Sequence, residues 1–414
     1  MGSPLPSHER GDPGRAASPP TERRGRRRVE AGSVILLVLM TLLLTALALT
    51  KYLERTTIDL LADSRDASAE RLRVEAYSAL ETVCAVLQEF RTVDGGLHSP
   101  NEGWGDPLAF AGYTPPSGTT VTVALEDESG KISLPHADFQ TLRDLFMLFG
   151  QKQADAERLA DALLVWMQQG YEPVDAFTAR ASDYEREAIP FDPPARSLHV
   201  FSELAAIKQV RDALFDEQGQ PNELWRRFVD SVSLYDFSQP NINAARDTTL
   251  AALGNYDASN IKLIDEYVGG LGSYTRQGPA YFRNPGDVAT LVGQGAASPK
   301  FATQVSCLRV NVTVREGQTA FRLSAVIAPQ GGAKLPPADP ATATAASGDT
   351  NTVPADQANP PTAGGTSAAQ PGTLPTAAGT SPAAASLNYP FALLEIREND
   401  GIAVTTSPSP SALE

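Results

Sequence analysis

Residues 33–50 read SVILLVLMTLLLTALALT, the main part of an uncharged run that extends from Ala31 to Thr50 and is closed by Lys51. A helix of about twenty residues is about 30 Å long, which matches the hydrocarbon core of a bilayer. A basic cluster, Arg23–Arg28, directly precedes the run, and basic residues beside a span stay on the cytoplasmic side. The sequence therefore predicts one membrane-spanning helix, with the first thirty residues cytoplasmic and the rest across the membrane.

Charge is distributed unevenly along the 414 residues, whose formal net charge is -15. Residues 1–32 carry seven Arg and four acidic residues, a net charge of +3, which leaves -18 for the remainder. The strongly negative charge of residues 33–414 argues against nucleic-acid binding, because contacts to phosphates need Lys and Arg. A cleaved secretory signal peptide is the alternative interpretation of a basic start and an apolar run.

The pattern after Lys51 favours a retained helix over a signal peptide. No Pro or Gly occurs between residues 51 and 90. Apolar residues recur there at spacings of three and four, as in an amphipathic helix: Leu72, Ala76, Leu80, Val83, Leu87 and Phe90. We expect one long helix, its first half in lipid and its second half packed on a globular domain.

A basic leader, a glycine, an apolar helix start and a long amphipathic continuation resemble the layout of type IV pilin-like precursors. In that resemblance a prepilin peptidase cuts after Gly32, Ser33 becomes the mature N-terminus, and methylation is implied. Most such proteins carry Glu at the fifth mature position, which here is Leu37. Its absence is characteristic of the general secretion pathway protein K family of type II secretion.

The missing carboxylate has a physical meaning within this resemblance. In a filament the buried Glu is thought to neutralise the amino terminus of a neighbouring subunit, and an unpaired carboxylate in hydrocarbon costs several kcal/mol. A subunit with Leu37 cannot make that contact. The resemblance therefore implies a position at the filament tip.

A strand and turn after residue 118 are similar to a signature of the same family. The run Thr119–Leu125 alternates β-branched residues, which predicts a strand, and residues 126–131 (EDESGK) predict a turn. The matching positions are Asp127, Gly130, Lys131, Ile132 and Leu134. Ser133 and Pro135 replace the family's two Asn residues.

Residues 136–298 predict an all-helical insert. Two helices within 138–169 are separated at Gly150, and the segment from Ala160 to Trp166 resembles a family motif, although Gln168, Gln169 and Gly170 replace the family's acidic residues. Ser202 is expected to cap a helix that has Glu203 and Leu204 in its first turn. A later element resembles another family motif through Asn241, Asn243, Ala244, Leu250 and Leu253.

Three further strands are predicted after residue 299, in residues 301–317, 319–329 and 388–400. Residues 329–386 consist mostly of Pro, Ala, Thr, Gly and Ser and predict a disordered loop. The expected fold is α+β: a pilin-like fold whose long N-terminal transmembrane helix packs on an antiparallel sheet, interrupted by the helical insert. The expected parts are a cleaved leader (1–32), a membrane span (33–50), a pilin-like domain (51–135 and 299–398), the insert (136–298) and a tail (399–414).

Catalytic motifs are missing from the sequence. The four histidines His8, His98, His136 and His199 are scattered, without a metal-binding spacing, and no nucleophile elbow or phosphate-binding loop occurs. We therefore expect no enzymatic activity and no certain cofactor.

Calcium remains an open alternative, because the resemblance includes calcium-binding members and loop carboxylates can supply oxygen ligands. The weak candidates are Asp127, Glu128, Asp175, Asp183 and Glu185. Cys84 and Cys307 could form a disulfide in an oxidising compartment or remain buried thiols.

The resemblance implies a minor pseudopilin, anchored in the inner membrane with its N-terminus cytoplasmic and its body periplasmic. It would lie at the tip of the pseudopilus, initiate assembly and help export folded proteins. Its partners would be I-type and J-type minor pseudopilins, a prepilin peptidase and, at the tip, secreted substrates. The alternatives are a single-span periplasmic binding or scaffold protein and a minor pilin of a type IV pilus.

Overall fold

The computed structural model describes residues 27–186, 190–337 and 390–399, with side chains from residue 34 onward. Helix α1 (Arg27–Asp94) includes the boundary between two compact units, which falls between Ser68 and Ala69 in the chain. The predicted leader up to residue 26 lies outside the described residues. The second unit begins at Ala69.

An antiparallel sheet forms the body on which α1 packs. Its order is β1 (Thr119–Asp127), β4 (Leu308–Glu316), β5 (Thr319–Pro329) and β6 (Phe391–Glu398). All four strands were predicted from their β-branched and alternating residues. The fold class is confirmed: a long helix on an antiparallel sheet, with a helical insert between β1 and β4.

The core of this body lies between one face of the sheet and one stripe of α1. All the predicted stripe residues from Leu72 to Leu87 are buried, and Phe90 packs at the margin. Alternate residues of β4 meet them, namely Val310, Val312 and Val314, each at most 1% exposed. Apolar residues that repeat every two positions in the strand thus pack against apolar residues that repeat every 3.6 positions in the helix, and together they form one apolar layer.

A loop and a short helix α2 (Pro107–Phe110) follow α1. The insert then begins with α3 (Phe139–Leu148) and α4 (Gln153–Met167), separated at Gly150 as predicted. Gly150 has φ +89°, a conformation that favours glycine. Next come α5 (Ala181–Tyr184), α6 (Lys208–Leu214) and α7 (Glu223–Ser231).

The insert has two apolar cores. The first joins α3, α4, α6 and α7, and within it the rings of Phe146 and Phe228 stack with centroids 5.4 Å apart. The second joins α8 (Asp247–Gly254), α9 (Ala258–Gly269) and α10 (Pro285–Val292) around the buried Phe282. The insert is therefore built as two helical layers with separate cores.

Two expectations about the insert were wrong. It is not all-helical, because β3 (Val232–Ser233) pairs in parallel with β2 (Ile132–Ser133). Ser202 is not a helix cap, since it lies inside a 3₁₀ helix, Phe201–Ala206. Glu203 instead reaches back to the amide of His199 at 2.9 Å, so a carboxylate satisfies the amides at the start of this helix.

The first part of the predicted disordered loop is ordered. Lys334 and Asp236 exchange two backbone hydrogen bonds of 2.9 and 3.0 Å, and Ala333 is buried. Residues 330–337 are thus ordered after the end of β5, where Lys334 pairs with Asp236 of the insert. This backbone pairing compensates for their low apolar content. Residues 338–389 and 400–414, which include the rest of that loop and nearly all of the predicted tail, lie outside the described residues.

Candidate functional site: the apolar helix and the sheet–insert junction

The apolar part of α1 has the properties of a membrane span. Every residue from Val34 to Thr50 is exposed, and within the described residues this is the one helix long and apolar enough to cross a bilayer. The hydroxyl groups of Thr41, Thr45 and Thr50 donate to carbonyls one turn earlier, at 2.8 to 2.9 Å. Polar groups in this segment are therefore satisfied inside the helix, as hydrocarbon requires.

The predicted cleavage site lies inside this helix. Gly32 and Ser33 both belong to α1, which begins at Arg27. Leu37 is 63% exposed, so the fifth position after the predicted cleavage site presents an apolar side chain.

Apolar exposure continues beyond the predicted span. Lys51 and Glu54 form an ion pair at 2.8 Å, yet several large apolar side chains after them are exposed: Tyr52, Leu53, Ile58, Leu60 and Leu61. Packing on the sheet starts only at Leu72. Residues 52–61 are thus an additional apolar surface that the charge-based boundary at Lys51 did not reveal.

A buried charge network lies where the sheet meets the insert. Glu128 follows β1 and is bonded by Arg309 of β4 at 2.5 Å and by Lys131 at 3.0 Å. Lys131 also pairs with Glu126 at 2.9 Å. Burial alone would raise the pKa of Glu128, but the two cations hold it below its ordinary value.

Asp127 lies beside this network in a different environment. Its carboxylate accepts hydrogen bonds from the amide and hydroxyl of Ser129 and, at 2.7 Å, from the Asn241 side chain. Burial raises the pKa of Asp127 to about 6, although these hydrogen bonds partly offset the effect. The pKa values of the two neighbouring carboxylates therefore shift in opposite directions, because only Glu128 contacts cations.

Asn241, one of the positions matched to the family, connects three segments. Its Nδ2 donates to Asp127 and to the carbonyl of His98 at 2.8 Å, and its backbone N–H donates to the carbonyl of Ser129 at 2.7 Å. Asn243 donates to the carbonyls of Phe282 and Thr303 and accepts from the Phe282 N–H, so it connects the insert to the segment before β4. Both amides are buried, so the motif joins the loop after α1, the end of β1 and the second helical layer.

Gly130, another matched position, is required by close packing. A Cβ atom there would lie 2.4 Å from the carbonyl oxygen of Ala244. No side chain fits in that space, because real Cβ contacts are longer than 3.0 Å. Gly130 thus allows the insert backbone to approach the turn after β1.

The loop after α1 contains a buried cluster that the sequence did not reveal. His98 Nδ1 lies 2.5 Å from Glu102, and Glu102 also accepts from Trp104 Nε1 at 2.7 Å. Asn101 donates to the carbonyls of Val268 and Ala280 at 2.9 Å each. A single histidine in a Gly-rich and Pro-rich loop gives no periodic signal, so only the fold shows that this loop holds the second helical layer against the body.

The calcium candidates do not form a common site. Asp175 pairs with Arg158 at 2.9 Å, and Asp183 accepts from the Arg180 amide and the Arg186 side chain. Glu185 is exposed at the end of α5. Among the described residues, no three His, Cys, Asp or Glu side chains form a group that could hold a metal ion.

The two cysteines do not form a disulfide. Both are buried thiols. Cys84 belongs to the core between α1 and the sheet, whereas Cys307 belongs to a cluster with Tyr235 and Val326. Burial raises the pKa of the Cys307 thiol well above its ordinary value, so it stays protonated. The alternative of a Cys84–Cys307 bridge is not realised because the two side chains lie in different cores.

Comparison with known proteins finds a match for a segment that includes the turn after β1. Residues 124–218 match the family model of type II secretion system (T2SS) protein K. No curated protein sequence matches the chain. Among solved structures, the chain is similar to a chain of the GspK-GspI-GspJ complex from the type 2 secretion system of enterotoxigenic Escherichia coli, with 14% identity and a TM-score of 0.46, covering 64% of this chain and 92% of that one.

Proposed function

We propose that this chain is a member of the type II secretion system protein K family, whose model matches residues 124–218, and that it serves as a minor pseudopilin at the tip of the pseudopilus. The family match carries the proposal, and the uncharged helix behind Gly32 agrees with it. The role is structural: the chain would initiate assembly and help export folded proteins, without catalysis.

The proposed topology is a single span in the inner membrane. The basic residues before Ala31 favour a cytoplasmic N-terminus, which leaves the sheet and insert in the periplasm. Cleavage after Gly32 by a prepilin peptidase would release Ser33 as the new N-terminus. A C-terminal fusion to alkaline phosphatase should be active in cells, whereas the same fusion to a cytoplasmic reporter should not.

The tip position is supported by what α1 presents near its start. Leu37 is apolar and exposed, so this subunit offers no carboxylate to the amino terminus of a subunit added above it. Other subunits could still add below it through their own helices. This asymmetry suits a capping subunit and is consistent with a single copy in each filament.

Co-assembly with I-type and J-type minor pseudopilins, the partner classes named in the Escherichia coli complex, tests the proposal. We expect the full chain, co-expressed with both and with a prepilin peptidase, to purify in mild detergent as one complex with one copy of each, measured by native mass spectrometry. Recovery of this chain alone, while the other two still associate, contradicts the proposal. A control without the J-type subunit shows whether the I-type subunit alone suffices.

A further inference from the structure

The outer edge of β1 has backbone groups that point away from the sheet. The β4–β5 hairpin has a two-residue loop, with Glu316 paired to Thr319. Residues that flank such a loop exchange both backbone hydrogen bonds, so even-numbered residues of β4 bond to β5 and odd-numbered ones bond to β1. The register, Thr122 opposite Thr313 and Val123 opposite Val312, then directs the N–H and C=O of odd-numbered β1 residues outward.

Three consecutive outward positions are open. In the part of the chain that the structure describes, the outward N–H and C=O groups of Val121, Val123 and Leu125 have no hydrogen-bond partner. At the start of the strand, the Thr119 N–H is bonded to the carbonyl of Pro116 at 3.0 Å. A row of open donors and acceptors on an edge strand is a template for another strand.

Nothing in the side chains of β1 protects this edge. Thr119–Leu125 contains no charge and no Pro, and its pairing with β4 is continuous over nine residue pairs without a bulge. Glu126 at its end is neutralised by Lys131. These are the properties of an edge that accepts a strand, because charges, Pro and bulges are what usually prevent such addition.

The opposite edge of the same sheet is protected. The pairing of β6 with β5 has a register shift between Val326 and Ile327. β6 also carries three charged residues within its last four positions, Glu395, Arg397 and Glu398. Because both edges belong to one sheet, the contrast between them marks β1 as the edge left open.

The apolar core is also incomplete beside β1. Val121, Val123 and Leu125 face α1 but are only partly buried, whereas Val310, Val312 and Val314 on β4 are fully enclosed. A strand added beside β1 would cover the exposed part of these three side chains. Hydrogen bonding and apolar burial thus point to the same occupant, an extended uncharged segment.

We propose that the outer edge of β1 binds an extended, uncharged segment of a neighbouring minor pseudopilin, which adds as a fifth strand to the sheet. The inference rests on the proposed function, since it names the surface through which this chain meets a partner. Main-chain hydrogen bonds to Val121, Val123 and Leu125 would supply the affinity, and the small side chains of Thr120, Thr122 and Ala124 would leave room on the other face.

Amide hydrogen exchange of the full chain, alone and in the complex with the I-type and J-type subunits, tests this assignment. We expect the amides of Val121, Val123 and Leu125 to exchange at least tenfold more slowly in the complex. The amides of Thr122 and Ala124, already bonded to β4, should be slow in both states. The amide of Ile396 on β6 serves as the control for the other edge and should not change.

Two variants separate the edge from general destabilisation. Val123→Pro removes an outward N–H and should reduce the affinity for the partner subunits at least tenfold, with Ile396→Pro on β6 as its matched control. Ala124→Lys places a charge on the exposed face without touching the backbone, and it should also weaken the complex while the melting temperature stays within a few degrees of the wild type.

Each other outcome overturns the inference. If the complex forms but the three amides exchange as fast as in the isolated chain, the partner binds elsewhere, and the proposed function stands without this surface. If the amides are already slow in the isolated monomer, another part of this chain covers the edge. If they are slow only in a homodimer, the occupant is a second copy.

Discussion

At the scale of single residues, the junction after β1 depends on a balance of buried charges. Glu128 is 4% exposed and contacts both Arg309 and Lys131. Buried ion pairs contribute little relative to apolar replacements, but removing one partner leaves an uncompensated charge. The network should therefore be sensitive to single substitutions and tolerant of paired ones.

Arg309→Met tests this balance. We expect it to lower the free energy of unfolding by roughly 3 to 5 kcal/mol, because Glu128 then keeps only Lys131. The double variant Glu128→Gln with Arg309→Met should recover most of that loss. Urea unfolding of the full chain in mild detergent measures both.

A matched control for that substitution exists on the surface. Arg226 pairs with Glu223 at 3.1 Å with both side chains largely exposed, so Arg226→Met should cost less than about 1 kcal/mol. Equal losses for Arg226→Met and Arg309→Met would show that burial of the Glu128 pair is energetically unimportant.

Asp127 should give the fold a distinct pH dependence. Its pKa is raised to about 6 in the folded chain, above the ordinary value of an unfolded Asp, so protonation favours the folded state. Stability contributed by this group is complete at low pH and is lost as the pH rises through 6. Between pH 5 and 7 we expect a difference of about 1 kcal/mol.

Asp127→Asn isolates that contribution. The wild type should gain stability from pH 7 to 5 relative to the variant, because His136 and Asp265, whose pKa values are also raised, are common to both proteins. The lowered pKa of Glu128 keeps its own titration below this window. Parallel pH profiles for wild type and variant would contradict the assignment.

At the scale of elements, periodic segments could be predicted and irregular ones could not. The α1 stripe, the four sheet strands and the break at Gly150 all follow from period and composition. Ser202 was misassigned because Glu203, which lies inside the 3₁₀ helix, accepts hydrogen bonds from the backbone amides at the start of that helix. The helix-capping propensities of the residues do not reveal this arrangement. Residues 330–337 were misassigned because their order comes from pairing with Asp236, a residue nearly one hundred positions away.

The candidate site was partly visible in the sequence. The matched residues Asp127, Gly130, Lys131, Asn241 and Asn243 all lie at the junction between sheet and insert. Glu128, which pairs with Lys131, also pairs with Arg309, 181 residues away, and no local pattern in the sequence connects these two residues. The calcium candidates were chosen as loop acids, but the fold gives Asp127, Glu128, Asp175 and Asp183 hydrogen-bond or ionic partners within the protein.

Gly130→Ala tests how tightly the turn after β1 packs against the insert. The new methyl group would meet the Ala244 carbonyl at 2.4 Å, and we expect a loss of about 1 to 3 kcal/mol from overpacking. Gly286→Ala is the control, because its Cβ meets nothing within 4 Å and it lies in α10. That control should stabilise the chain by up to about 1 kcal/mol. A Gly130→Ala variant as stable as the wild type would rule out the close contact.

At the scale of the whole molecule, the chain combines a lipid-compatible helix with a body made of a sheet and a two-layer insert. The formal net charge of -15 combines a leader of +3 with a body of -18, and the proposed cleavage would remove the leader. The mature protein would then present only an apolar helix start to the membrane and to neighbouring helices. This arrangement is what the proposed role as an assembling subunit requires.

The intact mass of the full chain, co-expressed with a prepilin peptidase, tests whether this protein is processed as a pseudopilin. We expect loss of residues 1–32 and an N-terminus at Ser33, with no cleavage of Gly32→Ala and normal cleavage of the leader control Gly25→Ala. A chain that keeps its leader in the presence of active peptidase, or that is cut equally well when Gly32 is Ala, would contradict the assignment as a pseudopilin.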